Sequence, residues 1–418
     1  MRMMTGNRVL WTLSAAAIGV SVLAGVASAD INNVTTEDAG NSGSVIVFPK
    51  VVWDGTRDTI IQLSNTGNPM VFVHCFYINA SPVDPFSPPS AFNPPQWNET
   101  DFDLLLTKQQ PTHWVVSEGR AVDFTDPFGD DEAGLDPGLV PPLPLGFRGE
   151  LKCIQVDASL APLPGNMLKG EATLRSNTGD ISEYNGIALQ GNTNLSGLDI
   201  GTDLQLNLTT GNPGGEYSAC PNILLFNHFA DGVVDPVIDQ LNDGCRPRCI
   251  GGTSPGITCT TDANCPGAGR CLTCPVTTTL TLVPCQENFE NQVGGTVTVQ
   301  FEIRDEFEVP FSASTTVNCW LDAGLDQISS QFKSGPLSTL TAFTRINPVG
   351  ALAGSSGTSQ GGVLGVAVET RYDTSSSRLF SADAAFNLNV EGNRFDAAQD
   401  LQGRALNGVT DHIVIPAE

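Results

Sequence analysis

The chain has 418 residues, with 45 Asp and Glu against 20 Lys and Arg, and a formal net charge of −25. That balance disfavours nucleic acid and anionic membrane surfaces as partners, because phosphate binding needs clustered Lys and Arg. The 43 Gly and 28 Pro, with few runs rich in Ala, Leu, Glu and Lys, point to an all-β protein with many turns.

At the N-terminus, Arg2 and Arg8 precede the apolar run Val9–Val26, and "ASA" at Ala27–Ala29 forms an A-x-A cleavage site. This is the pattern of a signal peptide over 1–29, cut between Ala29 and Asp30. Its removal takes away Arg2 and Arg8 and no acid, so the mature charge becomes −27. No later apolar run reaches spanning length. The expectation is a secreted or periplasmic protein with no membrane span after cleavage.

Strand patterns then follow one another. "SVIVFPK" and "DTIIQLSNTGN" lead into "VFVHCFYI", where Val71, Val73, Cys75 and Tyr77 share a face and the other face is also largely apolar. That second feature predicts a strand covered on both sides. "DFDLLLT" comes next, and then "FRGELKCIQV", with Phe147, Leu151 and Cys153 on one face. "EATLRS", "NGIALQG", "NILLFNHF" and "TTLTLVP" continue the series. "TVTVQFEIR" alternates cleanly, Val297, Val299, Phe301 and Ile303 against Thr298, Gln300, Glu302 and Arg304. "TLTAFTRI", "VLGVAVET", "AFNLNV" and "HIVIP" complete it.

Proline clusters at 81–97 and 136–145 cannot lie in central strands, since Pro lacks the amide donor. With the Gly- and Ser-rich stretch at 350–362 they mark long loops. The triplet "SVIVFPK", "DTIIQLSNTGN", "VFVHCFYIN" resembles the later "TLTLVPC", "TVTVQFEIRDE", "STTVNCWLD" in order and character. This likeness predicts two tandem Ig-like β-sandwiches of related topology, 30–215 and 216–418, with a cysteine-rich insert at 245–274 in the second.

There are 11 cysteines, and export makes disulfides the default. Cys75 and Cys153 both sit on inward faces of first-half strands, which suggests a bridge between sheets. Cys220 and Cys285 flank "NILLFNHF" and "TTLTLVP", and would lie opposite each other if those two strands paired. Cys245, Cys249, Cys259, Cys265, Cys271 and Cys274 are left for three local bridges whose pairing spacing cannot fix. Cys319 is the odd one, either a buried free thiol or the source of an intermolecular bridge. The insert has almost no large apolar side chain, so bridges must order it in place of a core.

The insert, with "TTDANCP" between its cysteines, is similar to a short cysteine-rich motif of exported bacterial proteins and more distantly to the modules of Dickkopf-type antagonists. That likeness implies no receptor function. "VIVFPKVV", "DTIIQLSNTGN" and "VHCFYIN", with "GELKCIQVD" and "HFADG", resemble a set of uncharacterised exported proteins of environmental bacteria. The resemblance implies export and a β-rich fold, and no activity.

Candidate chemistry is sparse. Only Cys271 and Cys274 have C-x-x-C spacing, and His74, His113, His228 and His412 are far away in sequence, which argues against zinc. Gly252-Thr-Ser-Pro-Gly256 matches G-x-S-x-G formally, but Pro255 removes the N–H that an oxyanion hole would need. The loop holding Asp126, Asp130, Asp131, Glu132 and Asp136 offers oxygen ligands to calcium, although a solvated loop is the simpler reading. Trp97 and Trp114 could stack on sugars or pack in a core. The reading is therefore a non-enzymatic exported protein with no cofactor, acting structurally or through interaction with a protein or polysaccharide. A glycan-binding module and a secreted hydrolase with an unrecognised site, built for example on His113, His228 and an Asp, are the alternatives.

Overall fold

The computed structural model describes residues 41–84, 93, 95–121, 137–191, 203–207, 217–218, 220–221, 223–241, 244–349, 362–376, 378–390 and 410–415. Residues 1–29, read above as a signal peptide, with Ala29 and Asp30 at the expected cut, and the acidic residues Asp126, Asp130, Asp131, Glu132 and Asp136, lie outside the described residues.

The chain is all-β. Its strands are β1 (Val45–Trp53), β2 (Arg57–Asn65), β3 (Val71–Asn79), β4 (Asn98–Leu106), β5 (Pro111–Val115), β6 (Phe147–Val156), β7 (Leu168–Ser176), β8 (Ile181–Asn185) and β9 (Ile187–Leu189). Next come β10 (Asp203–Asn207), β11 (Tyr217–Ser218), β12 (Leu224–Phe229), β13 (Val233–Val234), β14 (Arg248–Ile250), β15 (Arg270–Leu272), β16 (Pro275–Pro284) and β17 (Glu287–Asn288). The last are β18 (Thr296–Asp305), β19 (Pro310–Asn318), β20 (Leu321–Gly324), β21 (Thr341–Val349), β22 (Val363–Asp373), β23 (Phe380–Asn387), β24 (Asn389–Val390) and β25 (Thr410–Val414).

These strands form five sheets and one hairpin. Sheet 1 has the order β4-β3-β6-β1-β9, and sheet 2 the order β5-β2-β7-β8. Sheet 3 is β11-β10-β25-β17. Sheet 4 is β13-β16-β22-β23 with β20 also on β16, and sheet 5 is β19-β18-β21-β12-β24. The hairpin is β14-β15.

Three large apolar clusters hold the sheets together. Ile46, Phe48, Tyr77 and Leu151 of sheet 1 pack on Ile61, Leu63, Trp114 and Ala172 of sheet 2. The opposite face of sheet 1, with Val45, Val47, Phe76 and Ile154, packs on Leu204, Leu206, Tyr217 and Ile413 of sheet 3. Sheet 1 is thus the middle layer of three, which is why β3 reads as apolar on both faces. Leu280 and Leu282 of sheet 4 meet Leu224, Phe226, Val299 and Phe301 of sheet 5. In β18 the buried set is Val297, Val299, Phe301 and Ile303, one face of an alternating strand.

The sheets form a propeller-like ring and do not divide clearly into two tandem Ig-like sandwiches. Sheet 3 joins β10 to β25, roughly two hundred residues apart, through Asp203↔Val414 to Asn207↔Thr410. Val366 and Val368 of β22 enter the cluster between sheets 1 and 2. At the edges of sheets 2 and 4, Asn185 and Asn387 exchange hydrogen bonds of 2.9 and 2.7 Å. The paired triplets are also wired differently. β2 and β3 lie in different sheets, whereas β18 and β19 form a hairpin within one. Similar strand sequences do not fix topology, because alternation specifies only a buried face and not the neighbour that covers it.

Pro49 does not end β1. The strand runs on to Trp53 with its register to β6 broken between Phe48 and Val51, a bulge that accommodates the missing amide donor. The Tyr184 hydroxyl satisfies the bulged backbone, donating to the Lys50 carbonyl at 2.6 Å and accepting from the Lys50 amide at 3.2 Å.

Candidate functional site

The structure joins Cys75 to Cys153 and Cys220 to Cys285. The surrounding geometry is the reverse of the sequence reading. Cys75 and Cys153 are directly opposite each other on adjacent antiparallel strands of sheet 1, with Cα atoms 4.1 Å apart, so the bridge lies within a sheet. Strands β12 and β16 do not pair. They belong to sheets 5 and 4, and the Cys220–Cys285 bridge connects segments leading to different sheets.

The insert carries Cys245–Cys274, Cys249–Cys265 and Cys259–Cys271. Cys249, Cys259 and Cys265 bring their sulfurs within 4.8 Å of one another, but each sulfur is already in a disulfide and has no thiolate to offer a metal. Cys271 and Cys274 of the C-x-x-C are bound to different partners. The β14-β15 hairpin sets Cys249 opposite Cys271. At its tip Gly252 (φ 69°) and Gly267 (φ 71°) occupy left-handed backbone, and a Cβ on Gly252 would come within 2.2 Å of the Pro266 carbonyl oxygen.

The insert is docked against the neighbouring sheets and loops. The Arg248 guanidinium donates to the Thr374 carbonyl at 3.0 Å and to the Gly256 carbonyl at 2.9 Å. Arg270 forms ion pairs with Asp231 and, at 3.1 Å, with Asp326. This docking makes the insert one wall of a cleft of about 680 Å³.

The rest of the cleft comes from β1, β2, β6, β16, β20 and β22 and their loops. Its charged groups are Lys50, Arg57, Arg148, Arg270 and Lys333 against Asp54, Asp231, Asp322 and Asp326. Five of the chain's 20 basic residues therefore converge on one concavity of a strongly acidic protein.

Most of these charges are built in rather than surface-scattered. Lys50 and Asp322 form an ion pair at 2 % and 11 % side-chain exposure, and the Thr281 hydroxyl donates to Asp322 at 2.6 Å. Burial pulls the Lys50 ammonium below the usual lysine range despite that partner. Burial pushes the Asp322 carboxyl up, but the Lys50 charge, its hydrogen bond and Thr281 outweigh it and hold the group below the ordinary value. Asp231 is raised, chiefly by burial, with Arg270 opposing. Arg57 pairs with Asp383 at 2.9 Å and Arg148 with Asp54 at 3.2 Å. Arg148 and Lys333 stay the most open, at 48 % and 41 % exposure.

The other sequence candidates fall elsewhere. Trp97 and Trp114 are buried in the second and first clusters, and the Trp114 indole donates to the Tyr77 hydroxyl at 2.5 Å. They form no surface for sugar stacking. His113 is exposed on sheet 2 while His228 is buried on sheet 5, so the two do not share a cleft. His228 lies within 2.8 Å of the Thr344 hydroxyl, and burial pushes it down to about 4. His74 is also buried, 2.6 Å from Asp103. Cys319 is a free, partly buried thiol, pushed up to about 11 by burial and by the nearby Glu287 and Glu150.

The cleft itself is not legible in the sequence, because its residues come from segments scattered between positions 50 and 372. The available signal is Lys50 within the apolar run "VIVFPKVVW", a charge that a buried strand tolerates only with a partner.

No helix among the described residues is long and apolar enough to cross a membrane. No family model matches the chain, and no curated protein matches it. Among solved structures, a presumed secreted protein from Parabacteroides distasonis ATCC 8503 is similar at 10 % identity, with 73 % of this chain and 70 % of that one covered and a TM-score of 0.15. Broad bean stain virus gives 8 % identity over 87 % and 98 % of the two chains, with a TM-score of 0.17. Scores this low carry no argument about fold or function.

Proposed function

We propose that the chain is an exported, non-enzymatic binding protein, its β-sheets carrying a disulfide-stapled insert, and that the cleft beside the insert holds an acidic polysaccharide of the envelope or extracellular space. The observation that carries this reading is the convergence of Lys50, Arg57, Arg148, Arg270 and Lys333 in a chain of net charge −25. Guanidinium groups match carboxylates in a planar, two-pronged geometry, and Arg148 and Lys333, the most open of the five, are the groups best exposed to an anionic ligand.

Export is supported by the signal-peptide pattern and by five disulfides, which persist in oxidising compartments. A protein interface would need a buried aromatic or apolar anchor at its centre, and the lining offers mainly charged, small and hydroxyl side chains. Binding is favoured over hydrolysis because Asp54, Asp231, Asp322 and Asp326 are each engaged in an ion pair, leaving none as an obvious general base. The proposal includes no cofactor.

Titration calorimetry of the mature protein with polygalacturonate, and with neutral dextran as control, tests it. Binding to the acidic polymer should weaken with salt and fall at least several-fold in Arg148→Ala and Lys333→Ala. Absence of heat with polygalacturonate, or equal binding of dextran, overturns the reading.

A further inference from the structure

The layer between sheet 1 and sheet 3 contains three charges where only apolar side chains would be cheap. Glu150, Lys152 and Glu287 are 0 %, 1 % and 3 % exposed. Glu150 and Lys152 alternate along β6 with apolar Ile154 and Val156 on the same face, and Glu287 reaches them from β17. The Lys152 ammonium nitrogen lies 2.6 Å from Glu150 Oε2 and 2.5 Å from Glu287 Oε2. Among the described residues, the four carboxyl oxygens find no hydrogen-bond partner outside the trio. Phe289 covers it, its ring centroid 5.6 Å from Lys152 Nζ, and Phe76 packs on Phe289 at 4.9 Å.

One cation and two carboxyls sealed in an apolar layer are neutral only if one carboxyl keeps its proton. Glu287 is that group, held far above the usual carboxylate range by burial first and then by the Glu150 charge. A neutral carboxylic acid, a lysine nitrogen in contact with it, and a second carboxylate able to carry a proton are the parts needed for amide formation. The two carboxyls outweigh burial and keep Lys152 in its ammonium form at rest, so the first event must be proton transfer to Glu150.

We propose that Lys152 and Glu287 are joined by an autocatalytic isopeptide bond, with Glu150 as the proton carrier. The Lys152 ammonium gives a proton to the Glu150 carboxylate. The freed amine attacks Glu287 Cδ, forming the C–N bond. The Glu287 hydroxyl then leaves with a proton returned by Glu150, and the nitrogen loses its second proton to Glu150. Lys-NH3+, Glu150 carboxylate and Glu287 acid become a neutral amide, Glu150 acid and one water; no oxidant or other reactant is needed. The bond would clamp β6 of sheet 1 to β17 of sheet 3. The Lys50–Asp322 pair lacks such equipment, because its third member is the Thr281 hydroxyl and not a second carboxyl.

The test is the intact mass of the mature protein after full reduction and denaturation, with its tryptic map. The expected result is a chain lighter by one water, no tryptic cut after Lys152, and fragment spectra that join the peptides containing Lys152 and Glu287. Lys152→Met, an apolar replacement of similar length, and Glu150→Gln should both restore the full sequence mass while retaining the five disulfides. A wild-type chain at full sequence mass overturns the proposal, as does a water loss that maps to Lys50 and Asp322. A Glu150→Gln chain that still loses the water overturns the role given to Glu150.

Discussion

Replacing Asp322 with alanine removes the only carboxylate among the described residues that pairs with the buried Lys50 ammonium. The pair lies at 2 % and 11 % exposure, and the remaining polar contact of Lys50 Nζ is the Thr281 hydroxyl at 3.4 Å. Breaking such a pair leaves an uncompensated charge and costs about 3–5 kcal/mol, whereas an exposed pair would cost less than about 1 kcal/mol. Lys50→Met combined with Asp322→Leu removes both charges and should recover most of that loss. The penalty has a definite pH dependence. Burial already holds Lys50 below its unfolded value of 10.5, and loss of Asp322 lowers it further. The unfolded chain then binds more protons than the native one over the interval between the two values, so stability rises with pH there. Urea unfolding at neutral and at mildly alkaline pH, on wild type, both single variants and the double, measures this directly. An Asp322→Ala cost below about 1 kcal/mol, or a penalty that does not shrink at higher pH, would refute the view that this pair is a desolvated element of the cleft.

Three further outcomes follow from burial and charge. His228, pushed down to about 4 from 6.5 by burial, must be neutral to fold; its contribution is complete above pH 6.5 and lost towards pH 4, on the order of 3 kcal/mol, and His228→Asn should flatten the acid limb of a stability–pH curve. Mild reduction should open the three insert bridges, whose Cys271 is partly exposed, before the buried Cys75–Cys153 and Cys220–Cys285; alkylation counted by mass, with far-UV circular dichroism unchanged once six thiols besides Cys319 have been released, checks this, and simultaneous opening of all five bridges contradicts it. Cys319, pushed up to about 11, should be only about one part in a thousand thiolate at pH 8, so iodoacetamide should label it far more slowly in the native protein than after unfolding.

Sequence by itself determined that the chain is all-β and where its strands run, because period-two alternation and Gly/Pro punctuation are local properties. "TVTVQFEIR" and "VFVHCFYI" name their buried faces without help from the rest of the chain. Sequence also distinguished the cysteines inside strands from those in a coreless loop. Partnership was beyond it. Pairing of β10 with β25, the separation of β12 and β16 into different sheets, and the in-sheet position of Cys75–Cys153 depend on which surfaces meet across long stretches of chain, and alternation is the same for every candidate neighbour. Trp97 and Trp114 illustrate the same limit: an aromatic ring serves a core or a binding surface equally well, and only packing decides. The charges carry the lesson furthest. Glu150 and Lys152 read locally as polar members of β6, yet sheet 1 is covered on both faces, and the sheet 3 layer turns residues written like surface charges into buried, partnered groups.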